Sequence, residues 1–432
     1  MTPGARIQET IELIDELLSG NQSADRLFVR WFRKRRYAGS KDRVFIKNLM
    51  YEVLRNFHRL TWWTGGDSSI RSLTLAASIL SGNANMEDLV GWCDGQKYRP
   101  RPLKSSEIQN LRKLESGGGY LSPIQPNAVR CNLPGWLYDE AVRIFKGNVE
   151  QELAALNTIA PLDLRVNELK MTRGRAEDTL GASGIKVSKT KYAPSALRVM
   201  APQSIERLPL FKNGCIEIQD EGSQIIAHLC SAQKYMNVLD LCAGAGGKSL
   251  ALAAIMENKG SITLCDIDQN RLDRASVRLR RAGVGNCSLK TIKPDQNPSE
   301  LSSMGVFDRV LLDAPCTGSG VWRRHPETRI TLTQTRYSEL PLLQGNLLRN
   351  ASRLVALNGQ LIYATCSFLG KENEEQVEKF LLESGSFAVI PIGDVWRSVL
   401  RNPTPFNGDY MRLTPYRHGS DGFFTAVLKR IK

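Results

Sequence analysis

Residues Phe307–Gly320 read FDRVLLDAPCTGSG, and the fold follows from how this stretch is parsed. Val310–Leu312 is a short apolar run of the length expected for a buried strand. It ends on Asp313, passes through Ala314-Pro315-Cys316 and opens into a Thr/Gly/Ser loop. In an open parallel sheet, ligands bind at the carboxyl ends of the strands. Asp313 and Cys316 are therefore candidate reactive groups on a rigid edge, with Pro315 fixing the backbone between them. A cysteine beside a strand is more often a packing residue than a reagent, because free Cys is among the most buried side chains. The functional reading needs support from the flanking sequence.

On both sides of this stretch, strands and helices alternate. Val238–Leu241, Ile262–Cys265, Leu289–Ile292 and Gln360–Tyr363 are strand-like, with helical patterns such as Gln269–Ala282 and Leu340–Leu354 between them. This alternation predicts a doubly wound α/β sheet, and Gly422–Leu428 is expected to add an antiparallel strand. The first of these strands runs through Asp240 into Cys242-Ala243-Gly244-Ala245-Gly246-Gly247-Lys248 and then into a helix. Glycines let the backbone approach a ligand, and a helix N-terminus presents free N–H groups to it. Asp266 ends the next strand, where an acid can hold ribose hydroxyls. Loop, helix, strand and acid together indicate a nucleoside cofactor.

Two cofactors compete. Gly247-Lys248-Ser249 ends like a phosphate-binding loop, and Leu311–Asp313 could pass for its magnesium-binding strand. That pattern requires a glycine where Cys242 stands. S-adenosyl-L-methionine carries no phosphate, does not need that turn, and is favoured. A further strand, in Leu361–Ser367 (LIYATCS), delivers Cys366 to the same edge. Two thiols beside a methyl-donor loop suit one problem. Carbon 5 of a pyrimidine is not nucleophilic until a thiolate adds at carbon 6, which is covalent catalysis. An acid bonding to N3 and the exocyclic amine would select cytosine. Methylation of an amine would instead call for a Pro-Pro-aromatic turn after the Asp and no thiol.

The rest of the chain fits a nucleic-acid partner. Over 432 residues the formal net charge is +14, which favours a polyanion. Nine scattered cysteines without a Cys-x-x-Cys pair, and only four histidines, argue against a zinc site or disulfide scaffold and for reduced thiols in a cytoplasm. No apolar run approaches a membrane span, and Met1–Gly20 is too acidic for a secretory signal. Ile7, Ile11, Ile14 and Leu18 recur at helical spacing, as do Ile46, Met50, Val53 and Phe57. Arg26, Arg30, Arg33, Lys34, Arg35 and Arg36 surround Trp31, Phe32 and Tyr37. Basic residues there suit phosphates, while Trp31 and Phe32 are expected in the helical core. Glu115–Asn127 reads as a linker, Leu137–Leu156 as a helix, and Leu162–Val166, Ile185–Val187 and Leu197–Val199 as strands of a small α+β module, with Thr172 capping a helix that ends near Ala182. The expected boundaries are 1–130, 131–215 and 216–432.

VLDLCAGAGGKS, DAPCTGSGVWRRHPE and YATCS, in this order, resemble the RsmB/Nop2/Sun family of RNA cytosine-5 methyltransferases. KDRVFIKNLMYEVLR is similar to the NusB-like helical RNA-binding domain of the bacterial RsmB branch, and RHGSDGFF near the end also fits. The resemblance implies a Rossmann-like catalytic domain behind a NusB-like helical domain, and small-subunit ribosomal RNA as substrate. It implies Cys366 as nucleophile, Cys316 as the group assisting proton removal and release, and Asp313 as the residue facing the cytosine beside the cofactor. It also implies S-adenosyl-L-methionine held by Cys242–Lys248 and Asp266, with Asp295 near the adenine. Arg323, Arg324 and His325 would grip RNA phosphates. A cytoplasmic monomer without metal or membrane is expected. The family loop usually reads Cys-Ala-Ala-Pro-Gly-Gly-Lys; Gly244-Ala245 replaces Ala-Pro here, which loosens the loop but removes no functional group. The rival readings are a phosphate-loop ATPase and a non-catalytic RNA-binding or antitermination-like protein on the same fold.

Overall fold

The computed structural model describes every residue except 21, 118, 202 and 294–303. By packing, the chain forms two units: Met1–Thr158 with Trp322–Leu332, and Ile159–Val321 with Thr333–Lys432.

The first unit is helical. Pro3–Ser19 starts at Thr2, whose side chain accepts a hydrogen bond from the Ala5 N–H, with Pro3 pre-setting the first turn. It is followed by Ala24–Lys34, Ser40–Arg55, Phe57–Trp63, Ile70–Leu80, Met86–Trp92 and Ser105–Ser116. Ile7, Ile11, Ile14, Ile46, Met50 and Val53 meet in its core. Trp31 and Phe32 are buried there, as their apolar spacing requires, whereas Tyr37 is exposed. The indole of Trp31 donates to the buried Glu9 carboxylate at 2.5 Å, and the Arg35 guanidinium stacks 3.5 Å above its ring. The helix expected over Leu137–Leu156 is two helices, Gly135–Phe145 and Val149–Ala155. Lys146 takes φ +51 and starts a short 3₁₀ turn, Lys146–Asn148, that redirects the chain before Val149.

The excursion Trp322–Leu332 also belongs to this unit. Glu327 accepts from the Ala24 N–H at 3.2 Å, and the Arg329 guanidinium donates to Arg55 O at 3.1 Å and Asn157 Oδ1 at 2.9 Å. Arg323 is buried, so its expected phosphate-gripping role has no exposed guanidinium behind it; Arg324 and His325 are half-buried.

The second unit holds two sheets. Strands β1 (Leu162–Val166), β2 (Val187–Lys189), β3 (Ala196–Val199) and β4 (Ile216–Ile218) form an antiparallel sheet in the order β2-β3-β1-β4. The helix Arg173–Ala182 packs on it, capped by Thr172 as expected. The larger sheet contains β5 (Asn237–Asp240), β6 (Ser261–Asp266), β7 (Cys287–Thr291), β8 (Phe307–Asp313), β9 (Val355–Thr365), β10 (Phe387–Val389), β11 (Tyr410–Leu413) and β12 (Phe423–Arg430). Its order is β10-β12-β9-β8-β5-β6-β7, with β11 on β12. From β7 through β9 the neighbours are parallel, and β12 runs antiparallel to β9. Because β6 and β7 lie on one side of β5 and β8 and β9 on the other, the order reverses between β5 and β8. That is where ligands bind in such sheets.

Candidate active site

Strands β6, β5, β8 and β9 are neighbours, and their carboxyl ends bring Asp266, Asp240, Asp313 and Cys366 to one edge. Beside them lies a cavity of about 600 Å³ lined by Asp240, Cys242–Ala245, Gly247, Lys248, Asp266 and Asp313 among others. The loop after β5 is pinned to the next strand: the Gly244 N–H donates to Asp266 Oδ2 at 2.8 Å, and the Ala243 N–H to Cys265 O at 2.9 Å. Gly246 takes φ +73 where the helix Gly247–Ile255 begins, and a Cβ on it would stand 3.1 Å from the Ala275 Cβ. Arg278 donates to Ala245 O at 2.6 Å and is held in turn by Glu217. Asp295 lies outside the described residues.

The cations around this cavity already have partners. Lys248 Nζ meets Asp313 Oδ2 at 2.5 Å. Burial works against the lysine's charge, but Asp313, with Asp240 and Cys366 adding to it, raises Lys248 above its ordinary range. Arg278 pairs with Glu217 at 3.1 Å and Arg271 with Asp268 at 3.5 Å. Asp240, in contrast, is buried, with Oδ2 accepting from Ser249 at 2.6 Å and Oδ1 without a hydrogen-bond partner among the described residues. Burial pushes its carboxyl up to about 7, and Asp313 adds to the rise. An orphaned buried acceptor in a cavity whose cations are occupied suits a ligand bearing an ammonium and hydroxyls, and not a triphosphate. S-adenosyl-L-methionine fits that donor set. Among the described residues no group of acidic, His or Cys side chains could hold a metal ion.

Cys316 Sγ and Cys366 Sγ lie 3.3 Å apart, both partly exposed. The Cys316 thiol is raised well above its usual range, first by its hydrogen bond to Cys366 and then by burial. The Cys366 carbonyl accepts from the Gly320 N–H at 2.9 Å, and Gly320 O accepts from the Gly422 N–H at 2.8 Å, so the two cysteine loops and the C-terminal turn are stitched together. A Cβ on Gly320 would stand 2.1 Å from Gly422 O, which leaves no room for any other residue there.

The sequence reading missed two groups at this edge. In the sequence Asp240 is only the strand residue leading into the loop; its orphaned oxygen emerges from packing. Glu372 was not singled out. It sits in a short 3₁₀ turn, Gly370–Glu372, is 0% exposed, and reaches both cysteine loops.

Family models for the 16S rRNA methyltransferase RsmB/F match residues 227–429, and for the Methyltr_RsmF/B-like ferredoxin-like domain residues 133–206. The ribosomal RNA small subunit methyltransferase B of Sodalis glossinidius is 31% identical over 85% of this chain and 88% of its own length. The chain belongs to the RsmB/F methyltransferase family. Its counterpart from Salmonella paratyphi A is 27% identical over 90% of each chain. A solved structure of a methyltransferase homolog protein from Pyrococcus horikoshii superposes with a TM-score of 0.60 at 27% identity, covering 72% of this chain and all of that one. This RsmB/F chain is thus an S-adenosyl-L-methionine-dependent methyltransferase with a Rossmann-like catalytic sheet. The ferredoxin-like match spans helix Gly135–Phe145 through β3, while the packing units of this RsmB/F protein divide at Thr158 and Ile159. Sequence relationship and packing therefore cut the chain at different points.

Proposed function

We propose that this enzyme methylates carbon 5 of a cytosine in RNA, with small-subunit ribosomal RNA as substrate, through a covalent bond between Cys366 and carbon 6. The observation that supports this is the pair of sulfurs 3.3 Å apart next to the Asp313–Lys248 ion pair at the cofactor cavity. S-adenosyl-L-methionine supplies a methyl group on a sulfonium. Cys366 adds as thiolate to carbon 6, which turns carbon 5 into a nucleophile. Asp313, poised by Lys248, accepts from the exocyclic amine and so favours cytosine over uracil.

Release needs a second group. Once Cys366 is a thioether it no longer bears the charge that holds the proton on Cys316; Cys316 then loses that proton to water, and its thiolate takes the proton from carbon 5. The electrons of that C–H bond re-form the ring double bond, and Cys366 departs as thiolate. The target base must leave its stack to reach both sulfurs. The basic helical unit, Arg26 to Arg36 above all, supplies phosphate attraction.

The two cysteine variants test this asymmetrically. Cys366→Ala should abolish methylation and any protein–RNA adduct. Cys316→Ala should accumulate an adduct that survives denaturation. If Cys366→Ala traps RNA, the roles are exchanged; if neither variant traps it while both keep activity, the covalent route is wrong. Mapping methylated cytosines in ribosomal RNA with and without the gene identifies the target.

A further inference from the structure

The Glu372 carboxylate is fully buried and reaches both cysteine loops. Its Oε1 accepts from the Thr317 N–H at 2.9 Å and its Oε2 from the Thr317 hydroxyl at 2.6 Å, one residue past Cys316. Oε2 also accepts from the Ser367 hydroxyl at 2.5 Å, one residue past Cys366. Gln344 Nε2 donates to Glu372 Oε1 at 3.0 Å and to Pro315 O at 2.9 Å, on the other flank of Cys316. The Ser319 and Ser367 hydroxyls, 2.9 Å apart, close the ring. Asn373 extends it, donating to Ser367 O at 2.9 Å. Thr317, Ser367 and Gln344 are all uncharged donors. A buried carboxylate compensated only by neutral donors is a costly arrangement, retained where geometry depends on it.

We infer that Glu372 is a positioning residue for the two-thiol site: it fixes the Cys316 loop on both flanks against the Cys366 loop, so that the two sulfurs stay in register on one ring. Three of the four contacts around it secure the Cys316 side, through Thr317 twice and Pro315 by way of Gln344, and one secures the Cys366 side. The weight therefore falls on Cys316, and on release more than on addition. Neutralising the carboxylate puts an amide N–H₂ where an acceptor is needed by the Thr317 N–H or the Ser367 hydroxyl, and the Cys316 loop is released from one of its anchors.

This inference rests on the covalent reading above, and the test separates the two. Full-length wild type, Cys316→Ala, Glu372→Gln and Thr317→Val would be compared for kcat, for KM and calorimetric Kd of S-adenosyl-L-methionine, and for RNA adduct on denaturing gels. Glu372→Gln should lower kcat about 100-fold, leave the cofactor's KM and Kd within about twofold, and accumulate adduct as Cys316→Ala does, since losses of this size follow misplacement of reacting groups by about 1 Å. Thr317→Val keeps the backbone bond and loses only the hydroxyl, so it should fall between wild type and Glu372→Gln in both kcat and adduct. If Glu372→Gln does not fold, Thr317→Val carries the test alone. Adduct with Cys316→Ala but wild-type kcat and no adduct with the folded Glu372 or Thr317 variant overturns the role of Glu372. So does a loss of kcat matched by an equal loss of cofactor affinity. No adduct even with Cys316→Ala overturns the covalent reading itself.

Discussion

Asp240 shows what a single side chain can do to binding. Its carboxyl is raised to about 7 in the free enzyme because burial and Asp313 disfavour the charge. A ligand ammonium favours that charge, so binding S-adenosyl-L-methionine should expel a proton from Asp240. Affinity should then rise as pH climbs toward about 7, below the range in which an α-amino group titrates. Asp240→Asn should weaken binding about tenfold, the loss of roughly one charge-assisted hydrogen bond, and flatten that pH dependence. Isothermal titration at several pH values checks both. At this scale the sequence was informative about types and places: Asp313, Cys316, Cys366, Lys248 and Asp266 all reach the expected edge. It was silent about partners. That Lys248 is taken up by Asp313, and that one oxygen of Asp240 is left without a donor, depends on residues 9 to 65 positions away, which no local pattern encodes.

At the scale of elements, the existence of strands and turns was legible because they follow from short apolar runs and glycine punctuation, but strand bounds were not: Ile185–Val187 was expected where the strand is Val187–Lys189, Leu289–Ile292 where it is Cys287–Thr291, and Gln360–Tyr363 where it is Val355–Thr365. The helix Gln269–Ala282 matches its expected span, and the C-terminal strand is antiparallel as read. Gly147 and Asn148 mark the break at Lys146–Asn148, but the apolar period that continues across it masks that signal. The packing of Gly320 on Gly422 was hidden for a different reason: the two glycines are about a hundred residues apart and carry no side chain to pattern. Gly320→Ala should nonetheless be among the most damaging conservative changes. Its Cβ must push apart backbone segments, at a cost of about 1–3 kcal/mol or more. Because the Gly320 N–H holds the Cys366 carbonyl, methylation should fall further than stability alone explains. Thermal melts alongside kcat, measured on the folded variant, separate the two effects.

Across the whole molecule, three histidines are kept neutral by burial. His58 is pulled down to about 4, with Arg329 adding to the effect, and His228 and His418 are likewise held near 4. In the unfolded chain they would titrate near 6.5. At these three sites the folded protein binds fewer protons between these values, so their contribution is intact above about pH 6.5 and drains away as pH falls toward 4, by about 1.4 kcal/mol per pH unit for each proton, while Asp240, raised to about 7, offsets one of the three. Denaturant titrations at pH 7 and pH 5 should show the loss, and His58→Gln should shrink it if the variant folds. The arrangement of α/β sheet and preceding helices was readable from alternation and period alone. The assignment of Trp322–Leu332 to the helical unit was not, because its sequence looks like a charged loop trailing the Cys316 motif.

That excursion has an evolutionary corollary. A polypeptide that visits its neighbour in mid-course cannot be traded between genes as a self-contained cassette, since excising residues 1–158 would strand Trp322 and Arg329 without the walls that enclose them. The ancestry of the helical part and that of the methyl-transferring part should accordingly be congruent, with recombination joints scarce between them.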